Sequence, residues 1–289
     1  MTLIRRTSLE DLIDDFRSRN ATKRICTANA QFYVSTTGSD TSGDGTAVKP
    51  FKTLQYAYLW LAVNVDPSGY TVVLNLADGD YEGIFSDDSV GKFSGSILIQ
   101  GNRSNVAACR IVENDNGCIY LTANSGGQST VYLNYITIHG TSGNAAAINC
   151  YYNNMVSAGG DYINGFTAQA MKYTGTFYAI VDMGYGGRVE IYGNPVLALS
   201  VSAIDNFVIC STFGYVWIFL NAMTTNSPLA MNDSFMFLGE LSYGLYRENS
   251  HSGTFTGKQY DVNTNSVLTK TNTPPGNVSG TTASGGQAV

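Results

Sequence analysis

The sequence predicts an all-β protein, and three observations carry that expectation. Tyr, Phe and Trp make up 12% of the chain, glycines number 31, and charged residues reach only 13%, against roughly a quarter in an average domain. From Tyr70 onward, short runs rich in Val, Ile, Tyr and Phe are punctuated by Gly, Asn, Ser and Asp, with no long helical pattern between them. Where a repeat can be traced, blocks open near Ser96, Ser129, Gly187, Phe213 and Ser234, a spacing of roughly 20 to 30 residues that suits a solenoid. Short strands fit either a sandwich or barrel joined by hairpins or a parallel β-helix with several strands per coil. The repeat favours the parallel β-helix.

Along the chain, Thr7 followed three residues later by Glu10 has the spacing of a capping box. Leu9, Leu12, Ile13 and Phe16 then recur at i, i+3, i+4 and i+7, so a short amphipathic helix is expected. Acidic residues come early in it and Arg17 and Arg19 late, as the helix dipole favours. Too short to stand alone, it has to dock, either on its own domain or on a partner through the apolar stripe. Residues 20–30 read as a polar connector and 31–35 as a first strand, followed by a turn on Gly38, Gly43 and Gly45. Asp40, Ser42, Asp44 and Gly45 imitate the opening of a calcium loop, but Phe51 stands at the twelfth position, where a bidentate carboxylate is needed. A glycine turn without metal is expected there.

From Pro50, with Phe51, Leu54, Tyr58, Leu61 and Val65 at helical spacing, a second helix is predicted. An alternating strand at 70–77 ends in Asp78-Gly79-Asp80-Tyr81, where glycine supplies the bend. Further strands are predicted at 96–99, 118–121, 131–138, 188–192, 207–210, 215–220 and 235–238. Hairpin-type dipeptides stand at Asp78-Gly79, Asn116-Gly117 and Asn164-Gly165, and around 155–176 the repeat cannot be placed.

Charge and composition remove several function classes. A net charge of -6 with 16 dispersed basic residues does not make the cationic surface that nucleic acid requires. No stretch approaches the apolar length of a membrane span, and the N-terminus lacks a signal-peptide apolar region, so synthesis in the cytosol without membrane insertion is expected. Cys26, Cys109, Cys118, Cys150 and Cys210 are odd in number and lack metal-site spacing, which points to buried thiols.

Candidate acids for polysaccharide hydrolysis are Asp161, Asp182, Glu190 and Asp205, of which Asp182 and Asp205 are spaced to fall on adjacent coils. Solvated or turn carboxylates explain them better, because acids are mostly exposed, and none is assigned a catalytic role. His139 and His251 lie in no nucleophile motif, and between Arg110 and Arg188 the only basic side chain besides His139 is Lys172, too little for lyase chemistry. Neither catalytic residues, nor cofactor, nor metal is therefore expected. Sugar recognition asks only for aromatic faces with amide and hydroxyl groups, and Tyr151-Tyr152-Asn153-Asn154, Tyr162, Tyr185 and Tyr192 supply them. The segment from Tyr151 to Tyr192 is the expected surface-contacting region.

Two portions of the chain resemble a known group. Phe32-Tyr33-Val34-Ser35-Thr36-Thr37-Gly38-Ser39-Asp40, Gly43-Asp44-Gly45, Pro50-Phe51-Lys52-Thr53-Leu54-Gln55 and Asp78-Gly79-Asp80-Tyr81 resemble the start of phage tail fibre and tailspike proteins. Thr256-Gly257-Lys258-Gln259-Tyr260-Asp261-Val262, Pro275-Gly276, Gly280-Thr281-Thr282-Ala283 and Gly285-Gly286-Gln287 resemble the end of the same group, with Ala288 where such endings often carry an aromatic residue. The resemblance implies a right-handed parallel β-helix of the pectate-lyase-like superfamily, capped by the second helix and built as an intertwined homotrimer. It divides the chain into a virion-attachment segment (1–31) that joins a tail or baseplate protein, a body (32–253) and a trimerisation segment (254–289). The function it implies is attachment to host surface polysaccharide without catalysis; a polysaccharide depolymerase and a purely structural fibre segment are the alternatives.

Overall fold

The computed structural model describes residues 23–86, 93–114, 116–122, 128–141, 145–152, 154–158, 170–175, 177, 179–199, 203–220, 223–225, 228–248 and 250–289. The helix expected around residues 7–19 lies outside them. Among the described residues every pairing between strands is parallel, which rules out the hairpin sandwich.

Three ladders take up the chain in turn. The first holds Ala30–Val34, Thr71–Leu76, Gly95–Gln100, Ser129–Asn134, Met155–Ala158, the start of Arg188–Leu199, Tyr215–Leu220, Tyr243–Glu248, Val267–Lys270 and Gln287–Ala288. The second holds Gly79–Glu82, Cys109–Val112, Thr137–Gly140, Ala170–Gly175, the end of Arg188–Leu199, Met223–Thr225 and His251–Ser252. The third holds Ile84–Ser86, Ile119–Leu121, Ala146–Tyr151, Ala179–Gly184, Ala203–Cys210, Leu229–Leu238, Phe255–Val262 and Thr281–Thr282. Arg188–Leu199 pairs in both the first and the second ladder and joins them into one 16-stranded sheet beside the 8-stranded third. Register partners on neighbouring rungs stand from 20 to 42 residues apart in sequence.

Because pairing is parallel and in register, like positions stack into columns. Val72, Ile97, Val131, Val156, Val189, Val216, Gly244 and Leu268 succeed one another up the first ladder, all buried. Ile84, Ile119, Ile148, Val181, Val208 and Met236 do the same in the third. β-Branched residues suit this pleated, buried surface, and one apolar core runs from Cys26 to Leu268. All five cysteines are buried as free thiols. Among the described residues no helix is long and apolar enough to cross a membrane.

The helix α1 (Leu54–Asn64) lies in the chain between the first two strands of the first ladder and buries Leu54, Ala57, Tyr58 and Leu61. It begins four residues later than the Pro50 start that its periodicity predicts. Thr53 is the N-cap, accepting the Tyr56 N–H on its side chain. The Asp40 carboxylate in turn accepts the Lys52 and Thr53 N–H groups at 2.8 and 3.0 Å and the Thr53 hydroxyl at 2.7 Å. This satisfies orphan donors of the first turn and fixes where the helix starts. Phe51 instead bridges to Val34, and Val65 belongs to a short strand, Val65–Asp66, that pairs with Arg24–Ile25. The loop that imitates a calcium site is thus the brace of the helix.

Between the third and first ladders the chain turns on two successive left-handed residues. Tyr185 and Gly186, Thr212 and Phe213, Glu240 and Leu241, Thr264 and Asn265, and Ser284 and Gly285 all have positive φ. Gly187, Gly214, Ser266 and Gly286 donate back across their turns to Gly184, Ser211, Asn263 and Ala283, the pattern of a type I′ turn. Each turn also bonds the next: the N–H groups of Gly186, Phe213, Leu241 and Asn265 reach the carbonyls of Thr212, Glu240, Thr264 and Ser284. The hairpin-type dipeptides behave differently. Gly79 opens a second-ladder strand, Asn116-Gly117 closes a local bridge with Asn114, and Asn164-Gly165 lies outside the described residues.

One other expectation shifts. Ser234 does not open a first-ladder block; it lies within Leu229–Leu238 of the third ladder, and the first-ladder strand there is Tyr243–Glu248. Residues 254–289 carry the same ladders onward to Gln287–Ala288.

Candidate functional site

On the outer face of the third ladder, Phe85, Tyr120, Asn149 and Asp182 occupy one column of successive rungs. Phe85 and Tyr120 stack with centroids 5.1 Å apart and planes at 15°. Beside them the chain leaves the ladder at Tyr151 and Tyr152, and one rung on at Gly184 and Tyr185. Tyr152 and Tyr185 both have positive φ, which places their rings on the same corner. There they stack at 5.1 Å and 17°.

Tyr151 is tilted against both, with centroids at 6.5 and 6.3 Å. It lies over Gly184, where a Cβ would come to 3.4 Å from its ring, and its hydroxyl donates to Asp182 Oδ1 at 2.6 Å. Asn149, buried at 7% exposure, donates its amide hydrogens to the carbonyls of Asn116 and Ala146 and keeps its amide oxygen as an acceptor. Tyr120, Thr122, Asn149, Tyr151, Tyr152 and Tyr185 line a cleft of about 410 Å³, within the range of small-ligand sites. Tyr185 is 53% exposed at its rim.

The candidate acids do not converge. Asp182 borders this cleft and is engaged by Tyr151. Asp205 is exposed, accepts from Asn232 at 2.9 Å, and stands four residues along its strand from Ile209, the register partner of Asp182. At the rise of a strand this is about 13 Å, beyond the separation of a glycosidase pair. Glu190 sits in the first ladder, buried at 3%, ion-paired with Arg188 and accepting the Tyr192 hydroxyl at 2.8 Å. Burial, then the neighbouring Glu190, pushes the Tyr192 phenol well above its ordinary range. The Arg188 guanidinium lies 3.9 Å over the Trp217 ring, so these groups brace one another. Asp161 and Tyr162 lie outside the described residues.

The histidines are held by neighbours too. His139 Nδ1 is 2.8 Å from the Thr174 hydroxyl, and His251 Nδ1 is 3.0 Å from the carboxylate of buried Glu248. Among the described residues no group of three His, Cys, Asp or Glu side chains is arranged to hold a metal ion.

Of the tyrosines singled out in the sequence, Tyr151, Tyr152 and Tyr185 meet in the cleft, while Tyr192 faces Phe219 in the first ladder, stacked at 5.6 Å. Sequence reasoning missed Phe85, Tyr120, Thr122 and Asn149. Only the register between rungs, which needs the length of each circuit, would have found them. The chain matches no family model, no curated protein and no solved structure.

Proposed function

We propose that this chain is a tail fibre or tailspike protein of a phage, a right-handed parallel β-helix that forms a homotrimer and attaches to host surface polysaccharide without cleaving it. The observation that carries the reading is the tyrosine cleft, an aromatic corner with hydroxyl and amide groups on the flank of a stacked parallel scaffold. Aromatic stacking with a few directed polar groups is the chemistry of sugar recognition. The strand, glycine loop and braced helix at the start of the ladders fit the same reading, because a stack of strands needs its open end covered. A binding role is preferred over a depolymerase because Asp182 is the one carboxylate at the cleft among the described residues, and it is bonded to Tyr151.

The test uses purified full-length protein. Light scattering should give the mass of a trimer, and incubation with cells or extracted surface polysaccharide should give saturable binding with no new reducing ends or unsaturated sugars. Failure to bind any cell or polysaccharide from a broad bacterial panel would overturn the attachment role; released sugar ends would turn the protein into a depolymerase.

A further inference from the structure

Resting on the attachment reading, we infer that the tyrosine cleft selects uncharged sugar rings and discriminates against acidic ones. The inference follows from what lines it. Tyr120, Thr122, Asn149, Tyr151, Tyr152 and Tyr185 are all uncharged, and the carboxylate that borders them is Asp182. The sequence reinforces this: from Ile111 to Gly187 its only Lys or Arg is Lys172 and its only His is His139. Both stand on strands of the second ladder, Ala170–Gly175 and Thr137–Gly140, whereas the cleft is built on the third and its corner. The same stretch carries Glu113, Asp115, Asp161 and Asp182.

An incoming uronate or sialate carboxylate would therefore give up hydration without gaining a cationic partner among the described residues, and would approach the like charge of Asp182. A neutral ring loses nothing of this kind. Its apolar face can lie on Tyr185, which is 53% exposed. Its hydroxyls can donate to the Asn149 amide oxygen and exchange hydrogen bonds with Thr122 and the tyrosine hydroxyls.

The experiment measures binding of the full-length protein to a neutral glucan, a neutral galactan and an N-acetylglucosamine oligomer, against polygalacturonate and polysialate. Saturation-transfer NMR with the matching monosaccharides at high concentration reads weak contacts. At least one neutral probe should bind about tenfold more tightly than any acidic one, with an affinity that barely changes with salt. Tyr185→Asn, which removes the ring but keeps a residue that accepts positive φ, should abolish that binding. Thr122→Lys should raise affinity for the acidic probes by about tenfold. Tighter binding of an acidic probe by the unaltered protein would overturn the neutral preference while leaving sugar recognition intact. Binding to no sugar at all, or binding that Tyr185→Asn leaves unchanged, would overturn the cleft as the site.

Discussion

Phe207 and Phe235 are a direct test of whether one rung holds the next through the core. Both are fully buried, they lie on adjacent strands of the third ladder, and their rings stack at 4.6 Å with planes only 4° apart. Phe235 also meets Tyr246 of the first ladder edge-on at 5.9 Å. Truncating a buried Phe to Ala costs about 3–5 kcal/mol. Phe235→Ala, which loses two ring partners, belongs at the upper end, and Phe207→Ala lower. Aromatic pairing adds roughly 1 kcal/mol beyond area, so the double variant should be less destabilised than the sum of the singles by about that amount. Urea unfolding followed by circular dichroism reads all three, and Phe235→Ala should also lower Tm by on the order of 10 °C. A loss below about 1 kcal/mol for Phe235→Ala, several times less than a buried phenylalanine should cost, would refute the packing argument. Strict additivity would refute the stacking between rungs.

Three further outcomes are expected. A Cβ at Gly187 would lie 2.0 Å from the Cys150 carbonyl oxygen, which is backbone and cannot swing aside, so Gly187→Ala should cost roughly 2 kcal/mol or more and show as a lower urea midpoint. Burial holds the thiols of Cys109, Cys150 and Cys210 up to about 12; they remain protonated at pH 8, where Ellman's reagent should label none of them natively and all of them in denaturant. Removing residues 270–289 strips Thr281–Thr282 and Gln287–Ala288 from the ladder ends and uncovers Phe255–Val262 and residues 267–269, so the truncated chain should melt lower or aggregate, checked by thermal scans and light scattering.

Strands are easy to find in this sequence and their partners hard. Runs such as 207–210 and 215–220 announce themselves because buried parallel strands are continuous in Val, Ile and aromatics, whereas the run expected as one strand at 131–138 breaks at Tyr135 into Ser129–Asn134 of the first ladder and Thr137–Gly140 of the second. Which ladder a run joins depends on circuit length, and partners across rungs range from 20 to 42 residues apart. Ser234 falls in a different ladder from the expected one for this reason. Pro50 suggests a helix start that Asp40 and Thr53 move to Leu54, because a tertiary hydrogen-bonded cap outweighs periodicity. At the cleft, Tyr151, Tyr152 and Tyr185 are legible as a cluster of aromatics. Asn149 is not, since nothing local distinguishes it from any other asparagine in a β-rich chain.

The stacked corner turns separate conformation from residue identity. Left-handed backbone is ordinarily the province of glycine and asparagine, yet here Tyr, Thr, Phe, Glu and Leu adopt it, each turn tied to a neighbouring one by a backbone bond. A neighbour's backbone does the work that a glycine would do elsewhere. Side chains on this ridge are consequently released from the duty of shaping it, and no two of the five turns carry the same pair. Substitution there can rewrite what the protein touches rung by rung, like changing letters on a fixed line of type, while the chain path beneath stays as it was.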